Sequence, residues 1–161
     1  FIMIKKTMTA IAVALCTNST AYAEETDELS CLVEAVYHEA RSESFIGQLA
    51  VANVIIERVN REHFPDTICG VVHSARRWKG KIIKHRCAFS YYCDGKKEWA
   101  TVNKEALNTA YHAASLAIKG VVVLPTLGAT HYHASYVSPK WLLEMRKLEQ
   151  IGTHIFYTDM R

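Results

Sequence analysis

Residues 45–60, FIGQLAVANVIIERVN, decide the fold of this 161-residue chain. The stretch is apolar on nearly all sides until Glu57 and Arg58, which predicts a helix buried at the centre of the protein. Half of the chain is apolar (50%), and a chain of this length can form one domain with a sizeable core. The other elements are therefore expected to pack around this helix.

The segment before the central helix predicts another helix, which begins near Glu28. At about 100° per residue, Glu39 falls on the apolar stripe of this helix, whereas Glu34 falls on the opposite face. Glu39 is therefore predicted to face the core or a cleft, and Glu34 is predicted to be an ordinary surface residue. The apolar positions that define the stripe are Leu29, Leu32, Val33, Val36 and Ala40.

The remaining sequence predicts more helices and a small sheet. In chain order, the predictions are a short helix ending at Val72, an exposed basic loop over 74–84, a hairpin or tight loop over 87–95, a long helix over 98–119, a β-prone run over 121–137, a helix after Pro139 and a strand over 153–158. No linker interrupts residues 24–161. The pattern indicates a single helix-rich α+β domain with a small antiparallel sheet.

Residues 1–23 have the features of a signal peptide. Lys5 and Lys6 precede the apolar run MTAIAVAL, and an A-x-A cleavage site ends at Ala23. The run is too short to span a bilayer comfortably. An exported domain, 24–161, is predicted, located in the periplasm or outside the cell without stable membrane insertion. A buried N-terminal helix and an uncleaved anchor are the alternatives.

Cleavage after Ala23 leaves 17 basic and 16 acidic residues. This balance lacks the basic excess of a nucleic-acid-binding domain, so no nucleic-acid partner is expected. Four cysteines remain, an even number that suits disulfides in an exported protein. Three pairings are possible, and the short CAFSYYC loop favours Cys87–Cys93 together with Cys31–Cys69. Free buried thiols are the alternative, and the lack of a C-x-x-C pair makes a zinc site less favoured.

Glu39 is the strongest candidate for catalysis. A carboxyl group near an apolar face has a raised pKa, because burial disfavours the charged form. Such a group can stay protonated and donate its proton to a glycosidic oxygen. The alternative is a structural ion pair with Arg41 or a distant base. Glu43 is predicted either to position Glu39 or to cap the following helix.

A second candidate site is the sequence THYHASYVSPKW. His131 and His133 alternate, so on a strand both face one side, and with Glu39 they could form a His₂Glu metal set. The alternative is a polar, aromatic cleft wall in which Tyr132, Tyr136 and Trp141 stack on sugar rings. The chain contains no G-x-S-x-G, Walker or dinucleotide-binding motif, so no cofactor is expected.

Five segments resemble the SleB-type cell wall hydrolases, the family of the spore cortex-lytic enzymes. They are CLVEAVYHEARSESFIGQLAVANVIIERV, FPDTICGVVH, CAFSYYCDG, ATHYHASYVSPKW and QIGTHIFY. The resemblance implies a domain related to lysozymes and lytic transglycosylases. It implies a monomeric enzyme that cleaves peptidoglycan glycan strands between N-acetylmuramic acid and N-acetylglucosamine.

The family motif Y-x-E-A-R is matched by residues 37–41, which implies that Glu39 is the general acid. Glu43 and Arg41 are predicted to support it. This version of the motif departs from its relatives at His38 and Ser42, and the CAFSYYCDG segment departs at Ala88, where a glutamine is common. The predicted substrate contacts are Tyr37, Phe89, Ser90, Tyr91, His131, Tyr132, His133 and Trp141.

Three functions are predicted, the first implied by the resemblance and the other two by residue patterns. The first is a lytic transglycosylase, favoured over a hydrolase because Glu43 is the only evident second carboxylate. The second is a metal-dependent N-acetylmuramoyl-L-alanine amidase that uses His131 and His133. The third is a non-catalytic peptidoglycan-binding module with Trp141 and the tyrosines as its surface.

Overall fold

The computed structural model describes residues 18–94 and 102–159, with the backbone alone for residues 18–26. The predicted signal sequence lies largely outside this part and stays a prediction. Helix α1 spans Asn18–Ala40, so the predicted start near Glu28 is wrong. The segment contains neither glycine nor proline, so no residue in it ends the helix earlier.

Helix α2, Phe45–Val59, is the central helix that the sequence predicted. The hydroxyl of Ser44 caps it by accepting a hydrogen bond from the backbone N–H of Gly47 at 3.3 Å. It packs against α1 and against helix α5, Lys104–Ile118. The buried side of α5 consists of small residues, which lets the helices approach closely: Ala110, Ala113, Ala114 and Ala117.

Helix α5 is shorter than the predicted helix over 98–119. Asn103 caps its first turn by accepting a hydrogen bond from the N–H of Ala106 at 3.1 Å, so the helix begins at Lys104. Residues 98–101 lie outside the described part. At the other end, Gly120 has a φ of +84°, a conformation that favours glycine and ends the helix where it was predicted to end.

The short helix α3, Ile68–Val72, is confirmed and is tied to α1 in two ways. The Glu28 carboxylate accepts a hydrogen bond from the N–H of Ile68 at 2.5 Å, and a disulfide joins Cys31 to Cys69. The second disulfide joins Cys87 to Cys93. Both pairings are those that the sequence favoured.

Residues 74–84 were predicted to form a loop, and this is wrong. Strands β1, Ala75–Trp78, and β2, Lys81–Cys87, form an antiparallel hairpin. Its turn residues Lys79 and Gly80 both have positive φ, +49° and +77°, as a two-residue hairpin turn requires. The many lysines and arginines of these strands made the segment resemble an exposed loop, because few apolar residues alternate along it. The CAFSYYCDG segment, predicted as a hairpin or tight loop, contains a one-turn helix, α4, Ser90–Asp94.

The second sheet contains β3, His131–Ala134; β4, Met145–Ile151; and β5, His154–Asp159. Its order is β3-β5-β4, with antiparallel neighbours. The predicted strand over 153–158 is confirmed. The predicted helix after Pro139 is wrong, because only a 3₁₀ turn, Lys140–Glu144, precedes β4. The half-buried apolar residues of β4, Met145, Leu148 and Ile151, are three apart in the sequence, which resembles a helical spacing. The pairing register of β4 shifts between Lys147 and Gln150, which lets a strand accommodate this spacing.

Three long helices and two small antiparallel sheets confirm the α+β class. Within the described ranges, no helix combines the length and the hydropathy that are needed to cross a bilayer. The second sheet covers the core with the fully buried Phe156 and, through β3, contacts the C-terminal end of α1.

Candidate active site

Glu39 lies in the last turn of α1. Leu32 and Val36, on the same stripe of the helix, are fully buried, whereas Glu39 keeps part of its surface exposed. The helix ends one residue later, at Ala40. The carboxyl group is therefore at the edge of the core, largely removed from water but open on one side.

Tyr132, in the middle of β3, is the hydrogen-bond partner of this carboxyl group. Its hydroxyl donates to Glu39 Oε2 at 3.3 Å. Burial raises the pKa of Glu39 above its ordinary value, although the hydrogen bond from Tyr132 and the charge of Arg58 each lower it in part. Burial also raises the pKa of Tyr132, so its hydroxyl stays protonated and remains a donor.

Arg58, near the end of α2, is a site residue that the sequence analysis missed. Its Nε donates to the backbone carbonyl of Thr130 at 2.7 Å. The guanidinium carbon lies 5.4 Å from the ring centre of Phe64 and 5.6 Å from that of Phe89, within the range of cation–π attraction. These contacts fix a positive charge near Glu39.

A signal for Arg58 was present in the sequence. Residues 51, 54, 55 and 58 share one stripe of a helix, and Val51, Val54 and Ile55 are fully buried. An arginine that continues such a stripe has to be paired inside the protein, since an unpaired buried charge is costly. Its partner could not be read from the sequence, because Thr130 is distant in the chain.

Tyr91, on α4, forms another wall of the site. Its ring stacks on the ring of His38 with 4.4 Å between centroids and 16° between planes. The Tyr91 hydroxyl is buried and has no hydrogen-bond partner among the described residues. Burial raises its pKa, and the charges of Glu34 and Glu39 raise it further, so it stays protonated close to both carboxylates.

The prediction that Glu34 is an ordinary surface residue is wrong. Its side chain is 24% exposed, and its Oε2 lies 3.5 Å from Nε2 of His73. The ring of His73 in turn stacks on Tyr92 of α4, with centroids 4.6 Å apart. Helices α3 and α4 thus cover a face of α1 that the helical pattern alone left open.

Glu43 has a different environment from Glu39. Its carboxylate accepts a hydrogen bond from the N–H of Thr153 at 3.1 Å and a second from the Thr153 hydroxyl. Thr153 lies in the turn between β4 and β5. The preceding residue, Gly152, has a φ of +57°, and a Cβ at this position would overlap Glu43 Oε2. Glu43 therefore connects the end of α1 to the second sheet.

Arg41 and Tyr37 contact each other rather than Glu39. Arg41 is exposed, with its guanidinium carbon 5.3 Å from the Tyr37 ring centre. Tyr37 is 6% exposed, and its hydroxyl accepts a hydrogen bond from the N–H of Asn103 at 3.1 Å. The geometry gives Tyr37 a role in holding the start of α5.

His131 and His133 lie on the face of β3 opposite to Tyr132, because side chains alternate along a strand. Both rings contact Trp141, with centroids at 5.3 and 5.6 Å, and His133 Nε2 shares a hydrogen bond with the Tyr157 hydroxyl at 3.0 Å. Glu39 is on the other side. The structure therefore does not bring the proposed His₂Glu set together, and no group of three metal-ligating side chains occurs among the residues that it describes.

The remaining predicted contacts, Phe89 and Ser90, start the α4 segment. Phe89 is 3% exposed, and its ring contacts the guanidinium group of Arg58. It therefore helps to position Arg58. Ser90 is exposed. Among the residues predicted to contact substrate, Tyr132 and Tyr91 interact electrostatically with Glu39. The Tyr132 hydroxyl lowers the pKa of Glu39, and the Glu39 charge raises the pKa of Tyr91.

The sequence and the fold are similar to those of known proteins. A model of the cell wall hydrolase family matches residues 42–157. The chain belongs to the cell wall hydrolase family. Among solved structures of this family, the catalytic domain of the Bacillus cereus SleB protein is 33% identical, with a TM-score of 0.64 over 83% of this chain and 91% of that one. The catalytic domain of the germination-specific lytic transglycosylase SleB from Bacillus anthracis is 31% identical, with a TM-score of 0.64 over 91% of this chain and 100% of that one.

Curated relatives of this cell wall hydrolase are spore cortex-lytic enzymes. The protein from Bacillus cereus is 34% identical over 131 residues, which are 81% of this chain and 44% of the relative. The protein from Halalkalibacterium halodurans is 32% identical over 81% of this chain and 34% of the relative. The chain thus spans less than half of the length of these relatives and corresponds to the catalytic domain seen in the solved structures.

The site has the chemistry of a proton donor. A carboxyl group with a raised pKa carries its proton at a higher pH than an exposed acid does. Tyr132 and Arg58 can stabilise the carboxylate that forms after the proton is transferred. The dry wall formed by Phe89 and Tyr91 strengthens these electrostatic interactions by excluding water.

Proposed function

We propose that this cell wall hydrolase cleaves the glycan strands of peptidoglycan between N-acetylmuramic acid and N-acetylglucosamine, as a lytic transglycosylase. The observation that carries the proposal is the Glu39 carboxyl group at the edge of the core, which accepts a hydrogen bond from the Tyr132 hydroxyl and lies near the charge of Arg58. The similarity to a catalytic domain described as a lytic transglycosylase supports it.

In the proposed reaction, Glu39 first acts as an acid. It gives its proton to the glycosidic oxygen while the bond from that oxygen to C1 of the muramic acid breaks, and N-acetylglucosamine leaves with a free 4-hydroxyl group. The Glu39 carboxylate then takes the proton of the muramic 6-hydroxyl as that oxygen bonds to C1. A 1,6-anhydro ring results, no water is consumed and Glu39 regains its proton.

A single carboxyl group suffices for this sequence of steps. A retaining or inverting hydrolase needs a second carboxylate at a defined separation. Glu43, the second acid of the motif, has two hydrogen bonds to Thr153, which favour a role in holding the second sheet. This arrangement supports the transglycosylase over a hydrolase.

The site's electrostatics fit both steps. Burial favours the protonated form of Glu39 for the first step, and the Tyr132 hydroxyl and the Arg58 charge stabilise the carboxylate between steps. The enzyme would act outside the cytoplasm, where its substrate is. The two disulfides support that location, since they persist in oxidising compartments.

Mass spectrometry of the fragments released from purified sacculi tests the proposal. We expect disaccharide-peptides whose muramic acid carries the 1,6-anhydro ring and is therefore one water lighter than a hydrolysed product. Glu39→Gln should release none, whereas Glu62→Gln, at an exposed position, should behave as the parent. Free stem peptides beside intact glycan would instead identify an amidase, and hydrated ends would identify a hydrolase.

A further inference from the structure

The β1–β2 hairpin, residues 75–87 and called the basic hairpin below, has an unusual charge. It contains six of the chain's 19 lysines and arginines and none of its 16 acids. All six cations are exposed, and none has an ion-pair partner within the described residues. They are Arg76, Arg77, Lys79, Lys81, Lys84 and Arg86.

The basic hairpin is attached directly to the wall of the candidate active site. Strand β2 packs against α4, and the Cys87–Cys93 disulfide joins the two. Helix α4 carries Tyr91, whose ring stacks on His38, the neighbour of Glu39. A polymer that leaves the site along α4 would therefore meet the hairpin next.

The exposed surface of the hairpin combines an aromatic ring with positive charge. Trp78 is 70% exposed and lies directly across from Lys81 at the turn. An exposed tryptophan offers a flat apolar face on which a sugar ring can stack, and a neighbouring ammonium or guanidinium group can pair with a carboxylate. A glycan with anionic substituents presents both features.

We propose that the basic hairpin binds the carboxylates of peptidoglycan stem peptides, beside the glycan strand held at Glu39. The proposal rests on the proposed function, since it takes peptidoglycan as the substrate. An anionic bilayer fits less well. The cations extend along both strands, and Trp78 and Ile83 are the only large apolar side chains that the hairpin exposes, whereas insertion into a membrane interface needs a continuous apolar face.

The test measures binding to purified sacculi by co-sedimentation. All proteins carry Glu39→Gln, so binding is measured without cleavage, and the result does not depend on which bond the enzyme breaks. The hairpin variant changes Arg76, Arg77, Lys81 and Lys84 to Gln. The matched control changes four exposed cations elsewhere to Gln: Lys104, Lys119, Arg146 and Lys147.

We expect the hairpin variant to bind intact sacculi on the order of tenfold more weakly than the control, because several exposed pairs are lost together. Salt should reduce this difference by screening the charges. On sacculi whose free stem-peptide carboxylates have been converted to amides, which keeps the network insoluble but removes these charges, the two variants should bind alike. If the fourfold variant does not fold, the double variant Lys81→Gln with Lys84→Gln replaces it, with a smaller expected loss.

Two results would overturn the proposal. One is equal binding of the hairpin and control variants to intact sacculi. The other is a hairpin-dependent loss that persists on the amidated sacculi or that occurs instead on vesicles of phosphatidylglycerol, which would assign the hairpin to the sugar or to a lipid surface. Failure of the proposed reaction alone would leave the binding difference unchanged.

Discussion

Glu39 and Glu43 are four residues apart and are both contacted by the second sheet, yet their environments differ. Glu39 meets a single hydroxyl group, from Tyr132, in a largely dry site. Glu43 meets a backbone N–H and a hydroxyl group of one turn residue, Thr153. The same side chain therefore has a raised pKa where its charge is poorly solvated, and it connects two elements where donors surround it.

The largest effect is expected for Glu39→Gln. An amide cannot donate the catalytic proton, so the rate of solubilising sacculi should fall on the order of a thousandfold. The folded state should keep or gain stability, because a neutral amide is buried at lower cost than a carboxylate. Turbidity clearing and thermal unfolding measure the two quantities. Retention of more than about a tenth of the parent rate would contradict the assigned role.

Glu43→Ala should affect folding more than chemistry. Both Thr153 donors lose their acceptor, so the free energy of unfolding should fall by about 1–2 kcal/mol. The catalytic rate should fall far less than in Glu39→Gln. Urea unfolding measures the change, with Glu149→Ala, at an exposed position of β4, as the control. If activity vanished while stability stayed unchanged, Glu43 would have to be counted with Glu39 as a reacting acid.

Tyr132→Phe changes the solvation of Glu39 without changing its burial. The hydroxyl stabilises the carboxylate, so its loss should raise the pKa of Glu39 further. In the proposed reaction the protonated form of Glu39 donates the proton, so the alkaline limb of the pH–rate profile should move to higher pH, by about one unit at most. Tyr157→Phe, on the other face of the sheet and bonded to His133, should leave that limb in place. A shift to lower pH would contradict this account of the site.

His131→Gln should have the smallest effect. It tests a group whose pKa is lowered in the native state, whereas that of Glu39 is raised. Burial, aided by the charge of Arg58, lowers the pKa of His131 to about 4. The unfolded chain binds this proton near pH 6.5, so the native protein should lose stability as the pH falls from about 6.5 toward 4. The variant should show a shallower loss in that range by thermal unfolding. An identical acid profile would show that His131 titrates normally.

Glu39 affects the pH dependence of stability in the opposite direction to His131. Its pKa is raised in the native state, so the folded protein binds this proton more tightly than the unfolded chain does. The resulting stability is fully present below the unfolded pKa and is lost as the pH rises through the folded pKa. Glu39→Gln removes that loss, which separates the contribution of Glu39 from that of His131 in the same experiment.

The sequence predicted what depends on local periodicity and on short loops. The apolar stripe of α1 predicted that Glu39 faces the core, and the apolar run of α2 predicted the central helix. The six-residue spacing between Cys87 and Cys93 favoured the observed disulfide pairing. These features need only neighbours in the chain. The hydrophobic pattern and the chemistry of the turns are sufficient for them.

The sequence did not predict contacts that fold topology creates. Tyr132 is 93 residues from Glu39, and Arg58 is 72 residues from its acceptor Thr130, so no local pattern relates them. Strand β4 was mistaken for a helix because its apolar residues are three apart, and the shifted register that accommodates them depends on pairing with β5. The environment of Glu34 was missed because the packing of α3 and α4 on α1 brings distant residues such as His73 to it.

The contact between Glu43 and Gly152 also limits how the two positions can vary. A side chain at 152 would displace the carboxylate that binds the same turn, and its backbone conformation disfavours other residues. Loss of the acid and gain of a methyl group thus remove one and the same interaction. The two substitutions should be epistatic: once Glu43 is gone, the steric part of the penalty for Gly152→Ala disappears, and only the backbone part remains.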